Sequence, residues 1–279
     1  MKFGLHLPNF GPVGDPNVLA SLAAEAEAAD WEGFFLWDHV LGDPAWREPM
    51  VDPWIALAAI ASATRRIRIG PLVTAVPRRR PWHLARETTT LDLLSDGRLV
   101  LGVGLGFPPD AEFAHFGEDS DTQHRARLLD EGLSILAGLW SGKTFSFNGE
   151  EYHIRESVFV PTPVQRPRPP IWVAAHWPHR APLRRAAHWD GVFPERVGGG
   201  LLSPMELADL LEYVQAHRTT SQLFDLVIAG QTAELDATQL RDYARAGVTW
   251  WLEGITPKMP LANVRERIAA GPPVSLGTS

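Results

Sequence analysis

Residues 67–106 constrain this chain more than any other stretch. Ile67 to Val76 predicts a buried strand, Pro81 opens a helix, and a Ser95-Asp96-Gly97-Arg98 turn leads into a second apolar strand, Leu99 to Val103. That strand ends in Gly102-Val103-Gly104-Leu105-Gly106. Two nearly uninterrupted apolar strands around one helix imply a parallel βαβ unit covered on both faces, because a sheet with a wet face alternates polar and apolar residues. Glycines just past a strand's C-terminal end let backbone approach a ligand, and α/β proteins bind ligands at that end of the sheet.

The same rhythm extends over the chain. Strands are expected at Lys2–Leu7, Gly33–Trp37, Ile171–Ala175, Gly191–Phe193, Phe224–Gly230 and Val248–Leu252. Asp15-Pro16 and Asp52-Pro53 read as N-caps with proline at the first helical position, and Ser203-Pro204-Met205-Glu206 as a capping box. Val18, Leu22, Ala26 and Ala29 make an apolar stripe at helical spacing, as do Leu129, Leu133, Leu136 and Trp140. Asp236 is expected to cap a further helix, and Leu261 to Ala269 to form the last one.

Eight strand-helix alternations without an interior linker favour an α/β fold closed as a (β/α)8 TIM barrel, one domain over residues 1–270 with a tail at 271–279. An excursion at 143–170 interrupts the alternation between the fourth helix and strand five. It holds a hairpin around Asn148-Gly149 and a proline-rich run from Pro161 to Pro170, and is expected to lie over the barrel mouth, since proline cannot serve a central strand.

Composition narrows the function. The 279 residues carry a formal charge of −7 with Arg78-Arg79-Arg80 as the one basic cluster, which gives nucleic acid no footprint. The absence of cysteine removes disulfides, thiolate metal sites and a cysteine nucleophile. No apolar run reaches membrane-spanning length and Lys2-Phe3-Gly4-Leu5 is no signal-peptide core, so a cytoplasmic protein without membrane attachment is expected.

In such a barrel the chemistry sits at the strand C-termini, which here present Asn9 and Phe10, Asp38 and His39, Thr74 to Val76, Gly104 to Phe107, Ala175 to Trp177, Pro194-Glu195 and Glu253. His39 is the leading catalytic candidate, because imidazole exchanges protons near neutral pH, and Asp38 beside it is expected to set its tautomer. The alternative is a turn-capping aspartate beside a histidine in a polar shell. Backbone N–H groups at Gly104 and Gly106, and at Ala175, His176 and Trp177, are placed to face an anion. Asn9, Trp37, Phe107 and Glu195 are expected to line a substrate pocket. Arg78 to Arg80 read first as solvated surface and second as a phosphate or oligoglutamate site. Trp140, Trp172 and Trp250, of 11 tryptophans, are assigned to packing. No metal site is expected, and a metal-dependent hydrolase ranks last because clustered histidines at several strand ends are missing.

The segment Ile-Arg-Ile-Gly-Pro-Leu-Val-Thr, the proline-led helix, and Leu-Asp-Leu-Leu-Ser-Asp-Gly-Arg-Leu-Val-Leu-Gly-Val-Gly-Leu-Gly (91–106) resemble the luciferase-like flavin-dependent oxidoreductases. That family includes FMN-dependent monooxygenases and enzymes using the deazaflavin F420. The resemblance covers roughly residues 2–260 and implies the same barrel, a small organic substrate, and reduced FMN as cofactor, with coenzyme F420 as the alternative. It also implies a separate flavin or F420 reductase as partner and a homodimer. F420-using members carry an Asp-His pair where this chain has Asp38-His39, and FMN-dependent members often have the histidine. Val73-Thr74-Ala75-Val76 matches a segment that carries a non-prolyl cis peptide against the flavin, placing Thr74 and Ala75 beside the cofactor with the cis bond between them. The F420-dependent sugar-phosphate dehydrogenases of the family have a glutamate where this chain has Phe107, which favours monooxygenation of the substrate with O2. F420-dependent hydride transfer is the second reading, and a catalytically idle flavin-binding protein the third.

Overall fold

The structure, a computed structural model, describes residues 1–235 and 237–273. The Asp236 cap and residues 274–279 of the expected tail lie outside the described residues. In chain order the elements are β1 (Lys2–Leu7), α1 (Pro16–Ala28), β2 (Gly33–Leu36), α2 (Pro53–Ala63), β3 (Arg68–Pro71), β4 (Thr74–Ala75), α3 (Pro81–Leu94) and β5 (Leu101–Gly104). They continue with α4 (Pro109–Glu112), α5 (Thr122–Trp140), β6 (Phe145–Asn148), β7 (His153–Ser157), β8 (Ile171–Trp177), α6 (Arg180–Ala186), β9 (Gly191–Arg196) and α7 (Pro204–His217). Last come β10 (Asp225–Gly230), α8 (Ala237–Arg245), β11 (Trp250–Gly254) and α9 (Leu261–Ala269).

The main sheet runs β3-β2-β1-β11-β10-β9-β8-β5-β4, with parallel pairing throughout. Its two end strands, β3 and β4, are consecutive pieces of the strand foreseen at 67–76, so the sheet closes into a barrel. The Ile69 amide donates to the Arg98 carbonyl (3.1 Å) and the Val100 amide to the Ile69 carbonyl (2.9 Å), completing the ring. The break falls at Leu72–Val73, which is the non-prolyl cis peptide. The Thr74–Ala75 assignment is thus displaced by two residues. Leu72 is where the strand is pinned on both sides, its amide donating to the Leu36 carbonyl (2.7 Å) and its carbonyl accepting from His6.

Helix starts follow their caps. The Asp15 carboxylate accepts from the Asn17 and Val18 amides, Asp52 from the Ile55 amide, and Ser203 and Glu206 form the reciprocal box. On α1 the buried face is Leu19, Leu22, Ala23 and Ala26, one position rotated from the expected stripe, so Val18 and Ala29 sit at its edges. The core has two compartments. One lies between strands and helices and includes Trp140, while the other fills the lumen with Phe35, Leu72, Val100, Trp172, Phe193, Val227, Trp250 and Leu252. The lumen is therefore a solid floor, and a cavity opens above it at the strand C-termini.

The 143–170 excursion does not cross the mouth. Its hairpin and proline-rich run lie along the outer side of α5 and α3, because two carboxylates there collect its unpaired amides. Glu131 accepts from the amides of Glu150 (2.6 Å), Glu151 (3.1 Å) and Tyr152 (3.0 Å). Asp92 accepts from those of Val164 (2.7 Å) and Gln165 (3.0 Å), and Arg86 donates to the Val160 carbonyl (2.7 Å).

The opposite end of the barrel is closed by Arg98. Its buried guanidinium donates to the carbonyls of Ser95 (2.7 Å), Ala61 (2.9 Å), Ile67 (3.1 Å) and Thr64 (3.1 Å) and to the Thr64 hydroxyl (2.8 Å). Two of those carbonyls belong to the end of α2, where helix carbonyls lack internal partners and a cation is favoured.

Candidate functional site

Successive side chains of a strand point to opposite faces, so parity decides what reaches the space above the floor. Past Phe35, a lumen residue, that parity continues through Trp37 to His39 and sends Asp38 the other way. The rings of Trp37 and His39 lie 5.8 Å apart, and both pack against Phe10. Asp38 is buried facing the helices, where it accepts from Arg78 (2.8 Å), from Arg79 (3.0 Å) and from the Thr74 hydroxyl. It makes no bond to His39, which corrects the expectation that it sets the imidazole tautomer.

That contact belongs to Glu112, at the end of α4. Its Oε1 lies 3.0 Å from His39 Nδ1, and its carboxylate accepts from the amides of Val40 (3.2 Å), Leu41 (3.3 Å) and Gly42 (2.8 Å) and from Arg78. The Glu112 side chain is 1% exposed. Burial alone pushes its carboxyl up, but the His39 hydrogen bond, the Arg78 charge and the Gly42 amide outweigh it and hold the group at about 2. Arg78 and Arg79 are consequently neither solvated surface nor an anion site. They neutralise Asp38 and Glu112, with Glu87 3.6 Å from Arg79, while Arg80 is exposed.

Asn9 is fully buried and braces the backbone of His39 instead of lining a pocket. Its amide nitrogen donates to the carbonyls of His39 and Val51 (2.8 Å each), and its oxygen accepts from the His39 amide (3.3 Å). Thr74 is turned outward to Asp38 and to the indole N–H of Trp54 (3.3 Å), and Ala75 is buried beside the glycine turn. Their neighbour Val73 instead packs against the lumen cluster. On β8, parity sends His176 to the open face and buries Ala175 and Trp177 in the layer under the helices. Of the three residues foreseen there, only the His176 side chain reaches the open space.

That space is a cavity of about 820 Å³ over the ends of β8, β9 and β10, bordered by Phe107, His176, Phe193, Glu195, Leu202, Ile228 and Ala229. His176 and Glu195 are register partners on adjacent strands and form an ion pair at 3.5 Å. The contact raises the His176 pKa and lowers that of Glu195. Phe107, 67% exposed, sets its ring 6.1 Å from His176. Glycine also shapes the neighbouring end of β5. A Cβ on Gly104 would stand 2.8 Å from Val73 and 3.3 Å from Ala174, and Gly106 has φ +86°. Arg125 holds this turn through the carbonyls of Leu105 (3.0 Å) and Gly106 (2.8 Å).

His6, absent from the expected set, stands between Trp37 (5.7 Å) and Phe193 (5.4 Å). Its Nε2 lies 2.7 Å from the Leu72 carbonyl, and since a carbonyl only accepts, Nε2 carries the proton. Burial pushes its pKa down, so the ring is neutral there. The Trp37 indole nitrogen is buried without a hydrogen-bond partner. A glycine turn at the end of β5, an apolar floor and an unused donor together fit a flat, mostly apolar ring system with a few acceptor atoms.

A closed parallel barrel with a filled lumen and a histidine-bearing cup at the strand C-termini defines a TIM-barrel protein, an architecture whose sites lie at that rim. The chain belongs to the luciferase-like monooxygenase family, whose profile matches residues 1–248. It is 31% identical over 128 residues to the oxygenase component of the flavin-dependent trigonelline monooxygenase of Acinetobacter baylyi, covering 46% of this chain and 35% of that one. It is 32% identical over 169 residues to the F420-dependent hydroxymycolic acid dehydrogenase of Mycobacterium tuberculosis, covering 58% and 45%. The chain thus spans about half or less of the length of these curated relatives.

Two solved structures share the fold over almost the whole chain. The monooxygenase RslO1 of Streptomyces bottropensis superposes with a TM-score of 0.75 at 22% identity, covering 96% of each chain. The F420-dependent tetrahydromethanopterin reductase of Methanopyrus kandleri gives 0.74 at 16%, covering 97% and 98%. Among the described residues, no helix is long and apolar enough to cross a membrane.

Proposed function

We propose that this chain is the oxygenase of a two-component system, in which a separate reductase delivers reduced FMN and a small organic substrate is oxygenated in the cup. The observation that carries the reading is the pairing of an apolar-floored cup at the strand C-termini with His39, whose Nδ1 is engaged from behind by a buried carboxylate. Reduced FMN supplies two electrons to O2, so that one oxygen atom enters the substrate and the other leaves as water. Val73, Gly104 and Gly106 would hold the ring system, and the Trp37 indole N–H would donate to one of its acceptors. Leu72, Phe193 and Ala229 exclude water from below, and His39 Nε2 takes up or returns a proton at the reacting edge. Phe107 leaves that edge apolar where the family's F420-dependent sugar-phosphate dehydrogenases have a glutamate, which supports FMN.

The Asp38-His39 pair supports a second reading, in which F420 exchanges hydride with an unsaturated or carbonyl substrate. Titrating the purified protein with FMN, reduced FMN and F420 decides between them. Reduced FMN is expected to bind most tightly, and tighter F420 binding would replace the first reading by the second. His39→Ala should cut turnover at least ~100-fold while changing cofactor affinity little, as for loss of a proton-transfer group. Absence of turnover with either reduced cofactor, with and without O2, would leave a non-catalytic flavin binder.

A further inference from the structure

His39 has two ring nitrogens, and the fold treats them differently. Nδ1 meets Glu112 Oε1 at 3.0 Å, whereas Nε2 has no protein partner among the described residues. Glu112 reaches this position from α4, across from the β2 exit. On the way it gathers the amides of residues 40–42 and the Arg78 guanidinium. Those contacts already satisfy a buried carboxylate, so the imidazole contact is additional to what fixing the loop requires. Asp38 cannot substitute, because it faces the helices and is occupied by Arg78, Arg79 and Thr74.

An ionised carboxylate only accepts, so the nitrogen against it must carry hydrogen. His6, whose Nε2 is protonated against the Leu72 carbonyl, is locked in the opposite form a short distance away. We infer that Glu112 is a positioning residue that locks His39 as its Nδ1–H tautomer and leaves the Nε2 lone pair free to accept a proton in the cup. The inference rests on the reading above, in which His39 handles the proton. The carboxylate behind the ring also fixes its orientation, as one does behind a metal-bound histidine.

Imidazole ¹⁵N spectra of the cofactor-free protein test this without any substrate, with His39→Ala identifying the resonances. In the unmodified protein, wherever the ring is neutral, the Nδ1–H pattern is expected; an Nε2–H pattern or a rapid mixture overturns the inference. In Glu112→Leu, which removes the acceptor, the Nδ1–H preference should be lost and the Nε2–H form appear, whereas Glu112→Gln can keep an amide oxygen against Nδ1 and retain the tautomer. An unchanged tautomer in Glu112→Leu also overturns it. If Glu112→Leu folds poorly, the measurement on the unmodified protein still decides. Undiminished turnover in His39→Ala would instead sink the functional reading, leaving the tautomer result standing, so the two failures are separable.

Discussion

Replacing Arg98 by methionine should unfasten the closed end of the barrel while leaving the cup untouched. The guanidinium makes five hydrogen bonds, all to neutral oxygens of residues 61, 64, 67 and 95. Methionine fills a similar volume and makes none of them. At about 1 kcal/mol net per bond, discounted for the cost of holding an uncompensated cation in a buried site, the loss comes to about 4 kcal/mol. For a chain of this size that corresponds to a drop of roughly 7 °C in Tm. Urea unfolding followed by tryptophan fluorescence measures it directly, with lysine at the same position expected to fall between because an ammonium cannot reach so many oxygens at once. A methionine variant within about 1 kcal/mol of the parent would show that α2 and the β3 entry are held by packing alone, and the argument from Arg98 would fail.

Three further outcomes follow from the cup. Glu112 is held at about 2 against an ordinary 4.5, so its contribution is fully present above pH 4.5 and is lost as pH falls through about 2. The loss is about 3 kcal/mol and should be missing from the acid limb of Glu112→Gln in pH-dependent melts. Gly104→Ala places a methyl that both the Val73 side chain and the Ala174 Cβ must yield to, so a loss of about 1–3 kcal/mol should accompany a tenfold or greater weakening of flavin binding by fluorescence titration. Trp37→Phe removes an N–H that has no partner in the free protein, so stability should hold or rise by up to about 1 kcal/mol while affinity for reduced FMN falls; unchanged affinity would free the indole from the site.

The organising βαβ unit, the proline-led helices and their caps were legible because hydrophobic periodicity and capping chemistry are local. The two tryptophans that fill the lumen, Trp172 and Trp250, were readable as packing for the same reason. The site was less so. Asp38 and His39 are adjacent and look like a pair, yet a strand sends neighbours to opposite faces; the alternation Phe35, Trp37, His39 already carried that information. The same parity would have separated His176 from Ala175 and Trp177. Glu112 lies 73 positions from His39, in a stretch that reads as a polar loop, and only the closed barrel brings the two together. The arginines at 78 and 79 looked like surface because their counter-charges, Asp38 and Glu112, come from the β2 exit and from α4. Asn9 is polar at a strand end, as a pocket residue would be, and nothing local tells a backbone brace from a ligand contact.

A run of three glycines borders the cavity. Gly198, Gly199 and Gly200 follow β9 with φ of +86°, +87° and +84°, and a Cβ built on any of them would meet nothing within 4 Å. This part of the doorway is bare main chain, so it has no side chain with which to sort incoming molecules. Selection at the entrance must then fall to the exposed rings and branches flanking it, Phe107 and Val197, and exchanging those two should alter which molecules are admitted without touching the proton chemistry beneath.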